Sequence, residues 1–429
     1  MSGPTAETTT QPKGGLEGAM PAMAAFRARA GQAAPLLGEA LPTRKQEAWH
    51  YTSLLPVAQV PWQQAPALSL EAASALLGSI TLPPGLAGQV VLANGHLVED
   101  LTKLPAGVTL EVRAADTSLN QGFEGTEGPK GAPAALQDGS AFTDNLNKAL
   151  CGQVLRLRVA KGMEVGTLAL VMLHEACGSA PLSTHERLEL HLEEGSTLRL
   201  VEVQQSQGIC LANPCLHLDV ASHARLDYAR LHREGEGGFH LAHLSAELHS
   251  HATLHAIAIT RGAALARLES VVRLGGPHAF VHLDGVQVLE GGRFADFTSD
   301  IRHQSPDCRS RQLVRTVADD QGHGVFQGRV YVARGADGTD GAQMNQALLM
   351  SEKAWVDSKP ALEIYADDVS CSHGAAIGAL DEDQLFYLRA RGIPEPKARA
   401  MLVRAFLEDA LEGTADETLR NWLQESCFP

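Results

Sequence analysis

Leu188-Glu189-Leu190-His191-Leu192, Leu216-His217-Leu218-Asp219-Val220 and Leu244-Ser245-Ala246-Glu247-Leu248 decide the fold. Each begins 28 positions after the one before. Each runs into a similar corner: Gly195-Ser196-Thr197-Leu198, His223-Ala224-Arg225-Leu226 and His251-Ala252-Thr253-Leu254. The corner recurs one residue early as His278-Ala279-Phe280-Val281. Strict alternation marks strands with one buried face. A repeat of this length with small residues at a recurrent corner marks stacked coils. A parallel β-helix is the natural architecture, because each coil covers the open sheet edge of its neighbour. A sandwich is the alternative for a repetitive all-β pattern.

Outward from the repeat, the period changes. Met23, Phe26, Ala30, Ala33, Leu36 and Leu37 recur at helical spacing, and Pro42-Thr43-Arg44 breaks that run, with Thr43 placed to cap a second short helix. Val90-Val91-Leu92 before Asn94-Gly95 reads as a strand entering a tight hairpin. Gly122 to Pro133 reads as an exposed loop. Phe142 to Leu150 reads as one helix with Thr143 near its start. Past Asp381, Leu385, Leu388, Leu402, Phe406, Ala410 and Leu411 restore a helical pattern, divided by Gly392-Ile393-Pro394. The expected organisation is therefore mainly β. Residues 1–18 form a disordered tail, 19–150 an N-terminal helical or mixed domain, 151–380 the β-helix core and 381–429 a C-terminal helical domain.

Composition excludes several classes. The 429 residues carry a net charge of −15, which lacks the basic footprint of a nucleic-acid binder. The longest apolar run, Val165 to Leu173, is interrupted by Gly166 and Thr167 and falls short of a membrane span. The N-terminus has no signal-peptide pattern. Cys151, Cys177, Cys210, Cys215, Cys308, Cys371 and Cys427 are an odd, scattered set, read as reduced thiols of a cytoplasmic protein. There is no GxxxxGK[ST] phosphate loop, GxSxG or HExxH.

One further stretch carries ligand-type chemistry. It runs Gly322-His323-Gly324-Val325-Phe326-Gln327-Gly328, Thr339-Asp340-Gly341-Ala342-Gln343, Asn345-Gln346-Ala347-Leu348-Leu349-Met350-Ser351, Ala361-Leu362-Glu363-Ile364-Tyr365-Ala366-Asp367-Asp368-Val369, Cys371-Ser372-His373-Gly374-Ala375 and Leu385-Phe386-Tyr387-Leu388-Arg389-Ala390-Arg391-Gly392-Ile393. Glu363, Asp367, Asp368, Cys371 and His373 fall within eleven positions. On a strand, Cys371 and His373 share a face, and thiolate plus neutral imidazole suit iron or a cluster edge. Burial of Cys371 and turn or solvation roles for the carboxylates are the structural alternatives. Asp340, Gln343, Asn345 and Gln346 read as turn or ladder residues. Cys210-Leu211-Ala212-Asn213-Pro214-Cys215 reads as a loop in which either thiol is simply exposed, since a lone pair makes a poor zinc site. Most of His217, His223, His232, His240, His243, His249, His251, His255, His278 and His282 read as surface positions of the coils. A metal site built from adjacent coils stays open.

This stretch, the helix Phe142 to Leu150 and the segment Glu47-Ala48-Trp49-His50-Tyr51-Thr52 together resemble the SufB/SufD family of iron–sulfur cluster assembly scaffolds. The last segment also reads as an ordinary amphipathic helix end. The resemblance implies a right-handed parallel β-helix and no enzyme activity of its own. It implies a SufB-like paralogue as heterodimer partner, a SufC-type ATPase docked near Leu385, Phe386, Tyr387, Arg391, Gly392 and Ile393, and a homodimer when the chain is alone. His373 matches the histidine that faces the paralogue and helps build the nascent cluster; Cys371 is the weaker candidate. Iron or cluster would be held transiently at that interface, with none stably bound by the chain alone. Ser351-Glu352-Lys353-Ala354-Trp355-Val356 has alanine where the SufB branch carries a thiol, and Gly374-Ala375 follows His373, so the SufD branch fits better. The competing readings are a SufB-like subunit, a purely structural β-helix and a polysaccharide-acting β-helix enzyme.

Overall fold

The computed structural model describes residues 20–115, 141–176, 180–414 and 416–427. Its core is a β-solenoid of about eight turns. From Gln153 onward the long strands alternate between two parallel sheets. One runs Gln153–Val159, Arg187–Leu192, Cys215–Val220, Phe239–Leu248, Leu265–Leu274, Phe294–His303, His323–Val332 and Trp355–Ile364. The other runs Glu164–Glu175, Thr197–Gln207, Arg225–Glu234, Thr253–Thr260, Phe280–Leu289, Arg309–Ala318, Thr339–Leu349 and Val369–Gly378. The sandwich alternative is excluded, because consecutive long strands lie in different sheets and pair in parallel one coil apart.

The repeat read from the sequence is the register itself. Leu216 lies beside Leu188 on one side and Leu244 on the other. The next coil is shorter, which places Ser270 beside Leu244. The corners share one backbone device. His223, His251, His278 and Asp307 have φ of 60°, 58°, 60° and 57°, and Gly195 and Gly338 have 68° and 72°. Histidine and aspartate are among the non-glycine residues that tolerate this left-handed region. Each corner amide donates to the next coil: Gly195 to Ser222 O, His223 to Ser250 O, His251 to Pro277 O, His278 to Pro306 O, Asp307 to Asp337 O and Gly338 to Asp368 O. The hydrogen-bond ladder therefore continues round the bend. The rings of His223, His251 and His278 stack with centroids 4.8 and 4.7 Å apart.

Inside, Leu188, Leu190, Leu216, Leu218, Leu226, Leu254, Val281, Phe297 and Phe326 fill the lumen. Outside, the flanking segments cover the sheets. Met23, Phe26, Trp49, Trp62, Phe142 and Leu146 pack on Leu211, Leu241 and Leu265 of the first sheet. The helix Leu70–Gly78 sits over Val91, Ala169 and Leu173. The helices Glu395–Glu408 and Glu417–Cys427 bring Leu407, Leu419, Trp422 and Leu423 onto Val201, Leu231, Ile259 and Val288 of the second sheet. Leu86–Ala93 and His96–Leu97 form the expected hairpin around Asn94-Gly95.

Local expectations differ in places. The N-terminal helix ends at Ala30, and a 3-10 turn covers Gly31–Leu37. Thr43 caps no helix; it closes a turn through its carbonyl with the Gln46 amide at 2.9 Å. The expected tail over 1–18 and the loop Gly122 to Pro133 lie outside the described residues. The segment Glu47-Ala48-Trp49-His50-Tyr51-Thr52 holds a short 3-10 turn over Glu47–Trp49 rather than an amphipathic helix end. It is pinned to the first sheet by Arg267, whose guanidinium is fully buried and stacks 4.0 Å from the Trp49 ring centroid. Arg267 also donates to Ala48 O at 2.8 Å and Glu269 Oε1 at 2.8 Å, and pairs with Asp296, which takes a further bond from the Thr52 hydroxyl. Arg267→Met leaves Asp296 charged, buried and unpaired. That costs about 3–5 kcal/mol, read as a lower denaturation midpoint, and Asp296→Asn in the same chain recovers part of it.

Candidate functional site

The two ends of the solenoid are unlike. At one end Val108–Ala114 pairs antiparallel with Gln153–Val159, and the hairpin Leu86–Ala93/His96–Leu97 closes the other sheet. At the other end, Trp355–Ile364 and Val369–Gly378 are the last strands of their sheets. Their outward hydrogen-bonding edges have no partner strand among the described residues. Burial falls away there: alternation is regular over most of Thr339–Leu349 but is gone from Val369–Gly378, where no residue is buried. Trp355, Ile364, Tyr365 and Ile377 are all more than a third exposed. A bare pair of parallel edges bearing apolar side chains is a template for another chain.

Cys371 and His373 stand on that terminal strand. Register pairs them with Gly341 and Gln343, so both share the face that continues the lumen of the coil. The Cys371 thiol lies over Gly341, where a Cβ would be in van der Waals contact with Sγ at 3.4 Å. His373 is exposed and Cys371 half-buried. Partial burial pushes the Cys371 thiol above its usual range, with the Asp340 carboxylate adding to the shift and a bond from the Gly341 backbone opposing it. Beneath them, Gln343 Nε2 donates to Gln312 Oε1 at 2.8 Å, and Gln312 bonds Ser299 Oγ at 3.1 Å. Asn345 Nδ2 donates to Val314 O at 3.3 Å. The ladder role expected of Gln343 and Asn345 is thus what they have, inside the coil. Asp340 pairs with Arg311 at 2.5 Å.

The carboxylates do not converge on this pair. Glu363 accepts from Arg329 Nη1 at 3.3 Å, and Arg329 also holds Asp300. Asp367 and Asp368 are exposed at the bend between the last two strands, where the Asp368 carbonyl closes the final corner.

The docking candidates divide. Leu385 is buried, whereas Phe386 and Tyr387 are 70% and 58% exposed. Arg391 lies over the Tyr387 ring at 5.0 Å and donates to its hydroxyl at 2.8 Å. Gly392, with φ 83°, makes the turn between the helices Glu382–Ala390 and Glu395–Glu408, and Ile393 is half-buried beside it.

Two expectations are corrected. Cys210 and Cys215 are buried on short strands, not exposed in a loop. Asn213 stitches the connection shut, donating to Thr143 O and Leu241 O and accepting from His185. Burial pushes Cys210 up to about 12 and Cys215 well above the usual thiol range. The histidines are also less superficial than alternation suggests. His223, His251 and His278 are exposed corner residues, but His217, His232, His240 and His243 are buried. Among the described cysteines only Cys371 escapes full burial. Alkylation followed by mass spectrometry should mark Cys371 before Cys151, Cys210, Cys215 and Cys308. Only the thiolate reacts, so its rate should be low at neutral pH and still climbing above pH 9; a plateau at or below neutral pH contradicts the upward shift.

Comparison with known proteins agrees with this geometry. Residues 175–406 match the family described as SUF system FeS cluster assembly, SufBD core domain. The chain is 32% identical over 398 residues, covering 90% of it and 88% of the relative, to the iron–sulfur cluster assembly protein SufD of Escherichia coli K12. A SufBD family protein of Synechocystis is 25% identical over 92% of this chain and 88% of its own. The chloroplastic protein ABCI7 of Arabidopsis thaliana is 33% identical over 56% of this chain and 51% of its own. With its solenoid core, its open parallel edges and a match spanning more than half its length, this chain belongs to the SufBD family of the SUF iron–sulfur cluster assembly system and is SufD-like within it.

Proposed function

We propose that this chain is a scaffold subunit of the SUF assembly machinery, acting in the cytoplasm through partners and not as an enzyme. The observation that carries the reading is the pair of unpartnered, full-length parallel edges at one end of a solenoid whose other end finishes in antiparallel strands. A SufB-like paralogue with a matching open end would continue both sheets across the junction, satisfying the outward amides and carbonyls of Trp355–Ile364 and Val369–Gly378. When the chain is alone, a second copy satisfies the same edges as a homodimer.

At that junction Cys371 and His373 face along the lumen, where they contribute to holding iron or a nascent cluster as cargo. The imidazole is the stronger contributor, being exposed and a good ligand when neutral. The thiol needs deprotonation, which its raised pKa opposes until a cation binds.

A SufC-type ATPase docks on the exposed face of Phe386, Tyr387 and Arg391. Leu385 and Ile393 orient that face by packing inward. Exposed aromatics beside an arginine have the composition of an interface hot spot. Removing the C-terminal helices altogether would be a poor test, because Leu407, Trp422 and Leu423 cover the outer face of the second sheet. Phe386→Ala with Tyr387→Ala is cleaner, since both side chains stand in solvent.

The test is co-expression of tagged full-length chain with SufB-like and SufC-type partners, followed by pull-down and cluster reconstitution. The aromatic double variant should keep the paralogue and lose the ATPase at least tenfold. His373→Ala should recover both partners yet assemble cluster severalfold more slowly. Unchanged cluster assembly by His373→Ala would leave the open end a purely structural junction, and recovery of neither partner by the wild type would remove the scaffold reading.

A further inference from the structure

Inside the solenoid, well away from the open end, the lumen changes character. The inward positions of Thr197–Gln207 run Leu198, Leu200, then Glu202, Gln204 and Ser206. Those of Arg225–Glu234 run Leu226, Tyr228, then Arg230, His232 and Glu234. His174 ends the inward row of Glu164–Glu175, and His240 begins that of Phe239–Leu248. All these residues are buried.

Part of this polar cluster is internally matched. Glu202 accepts from Tyr228 Oη at 2.6 Å and Arg230 Nε at 2.7 Å. Glu186 takes His174 Nε2 at 2.9 Å and the Thr184 hydroxyl at 3.2 Å. Single atoms of His174, Gln204, Ser206 and Arg230 have no partner, and the shortfall is most concentrated at His232, Glu234 and His240. His240 Nδ1 bonds Glu234 Oε1 at 2.9 Å. His232 Nε2 approaches the same oxygen to 3.2 Å without making a hydrogen bond. Both ring nitrogens of His232, His240 Nε2 and Glu234 Oε2 are left with no partner. Four unpartnered polar atoms on three fully buried side chains are costly as they stand.

We propose that His232, Glu234 and His240 form a binding site for one divalent transition-metal ion inside the solenoid. One donor atom from each residue lies within 4.8 Å of the others. With ligand bonds of about 2.0–2.2 Å, donors around one ion stand roughly 3.3–3.5 Å apart, so loading needs only a small inward contraction. Two imidazoles and one carboxylate favour zinc- or ferrous-class ions over calcium or magnesium. They leave positions open for water or a further ligand.

The surroundings hold the set in place. The three residues come from the end of Arg225–Glu234 and the start of Phe239–Leu248, facing each other across one corner of the coil. Gly238 is needed there, because a Cβ would lie 2.8 Å from Glu234 Cβ and 2.9 Å from its Oε2. A Cβ at Gly262 would sit 2.3 Å from Glu234 O. The carboxylate therefore has a glycine-shaped recess and little freedom to leave it. Five strand spacings, roughly 24 Å, separate this strand from Val369–Gly378, so the site is distinct from Cys371 and His373. It also departs from the expectation that the chain alone holds no metal stably.

Cobalt(II) is a direct probe. Chelator-stripped, full-length chain titrated anaerobically with cobalt should gain one equivalent, visible as ligand-field bands, and a higher melting temperature. Glu234→Gln and His240→Gln should bind at least tenfold more weakly, while His373→Ala should bind like the wild type. X-ray absorption of the wild-type cobalt complex should show a nitrogen and oxygen shell with two imidazoles and no sulfur, a readout that needs no variant to fold. Folded wild type that takes up less than a tenth of an equivalent overturns the proposal. So does cobalt lost with His373→Ala but kept by the triad variants, or a shell containing sulfur.

Discussion

Everything in this molecule depends on parallel pairing between coils one repeat apart. A β-strand points all its amides and carbonyls sideways, about half to each edge, and a solenoid satisfies them only by laying a coil along each edge. The condition is strict, because a slip of one residue would exchange a strand's lumen face for its outer face. The corners keep the register. Gly195, His223, His251, His278, Asp307 and Gly338 hold left-handed backbone and hand an amide to the following coil. The ladder therefore does not break where the chain changes sheet.

The same constraint leaves a problem at each end, and the two ends handle it differently. The N-terminal end reverses strand direction: Val108–Ala114 runs antiparallel to Gln153–Val159, and His96–Leu97 folds back on Leu86–Ala93 through a tight hairpin. The C-terminal end does nothing of the kind. Its last two strands keep the parallel geometry and carry exposed apolar side chains. On the proposed reading, function and fold meet there: the unfinished ladder is what a partner strand would complete.

The solenoid was legible in the sequence because Leu188, Leu216 and Leu244 recur at a constant interval and end up adjacent. The Asn94-Gly95 hairpin, the helix Phe142–Leu150 and the C-terminal helices were legible for equally local reasons. The anchoring of Trp49 and Thr52 was not, because it depends on Arg267 and Asp296, more than two hundred positions away and carrying no local signal. Alternation also misled on the histidines. It reports which residues share a face, not which face meets water. Leu226, Tyr228, Arg230, His232 and Glu234 all share the inward face, and the change from apolar to polar along it looks like surface in a one-dimensional reading. Similarly, Asn213-Pro214 suggested an open loop between Cys210 and Cys215, whereas the Asn213 side chain ties two backbone segments together over it. The candidate pair Cys371 and His373 was legible as a local motif. Its place at the open end followed only from the strand order.

The covering of the two outer faces has a consequence for how the chain comes into being. The first sheet is sheathed by residues made early, such as Phe26, Trp49 and Trp62. The second is sheathed by Leu407, Leu419, Trp422 and Leu423, which follow every coil in the chain. During synthesis the coils can therefore stack from the N-terminal side with one flank already dry. The strip of Val201, Leu231, Ile259 and Val288 stays wet until the helices after the last coil are made. A nascent chain of this architecture is one-sidedly sticky while its coils are being made, and the helices Glu395–Glu408 and Glu417–Cys427 act as the closing flap rather than as an appendage.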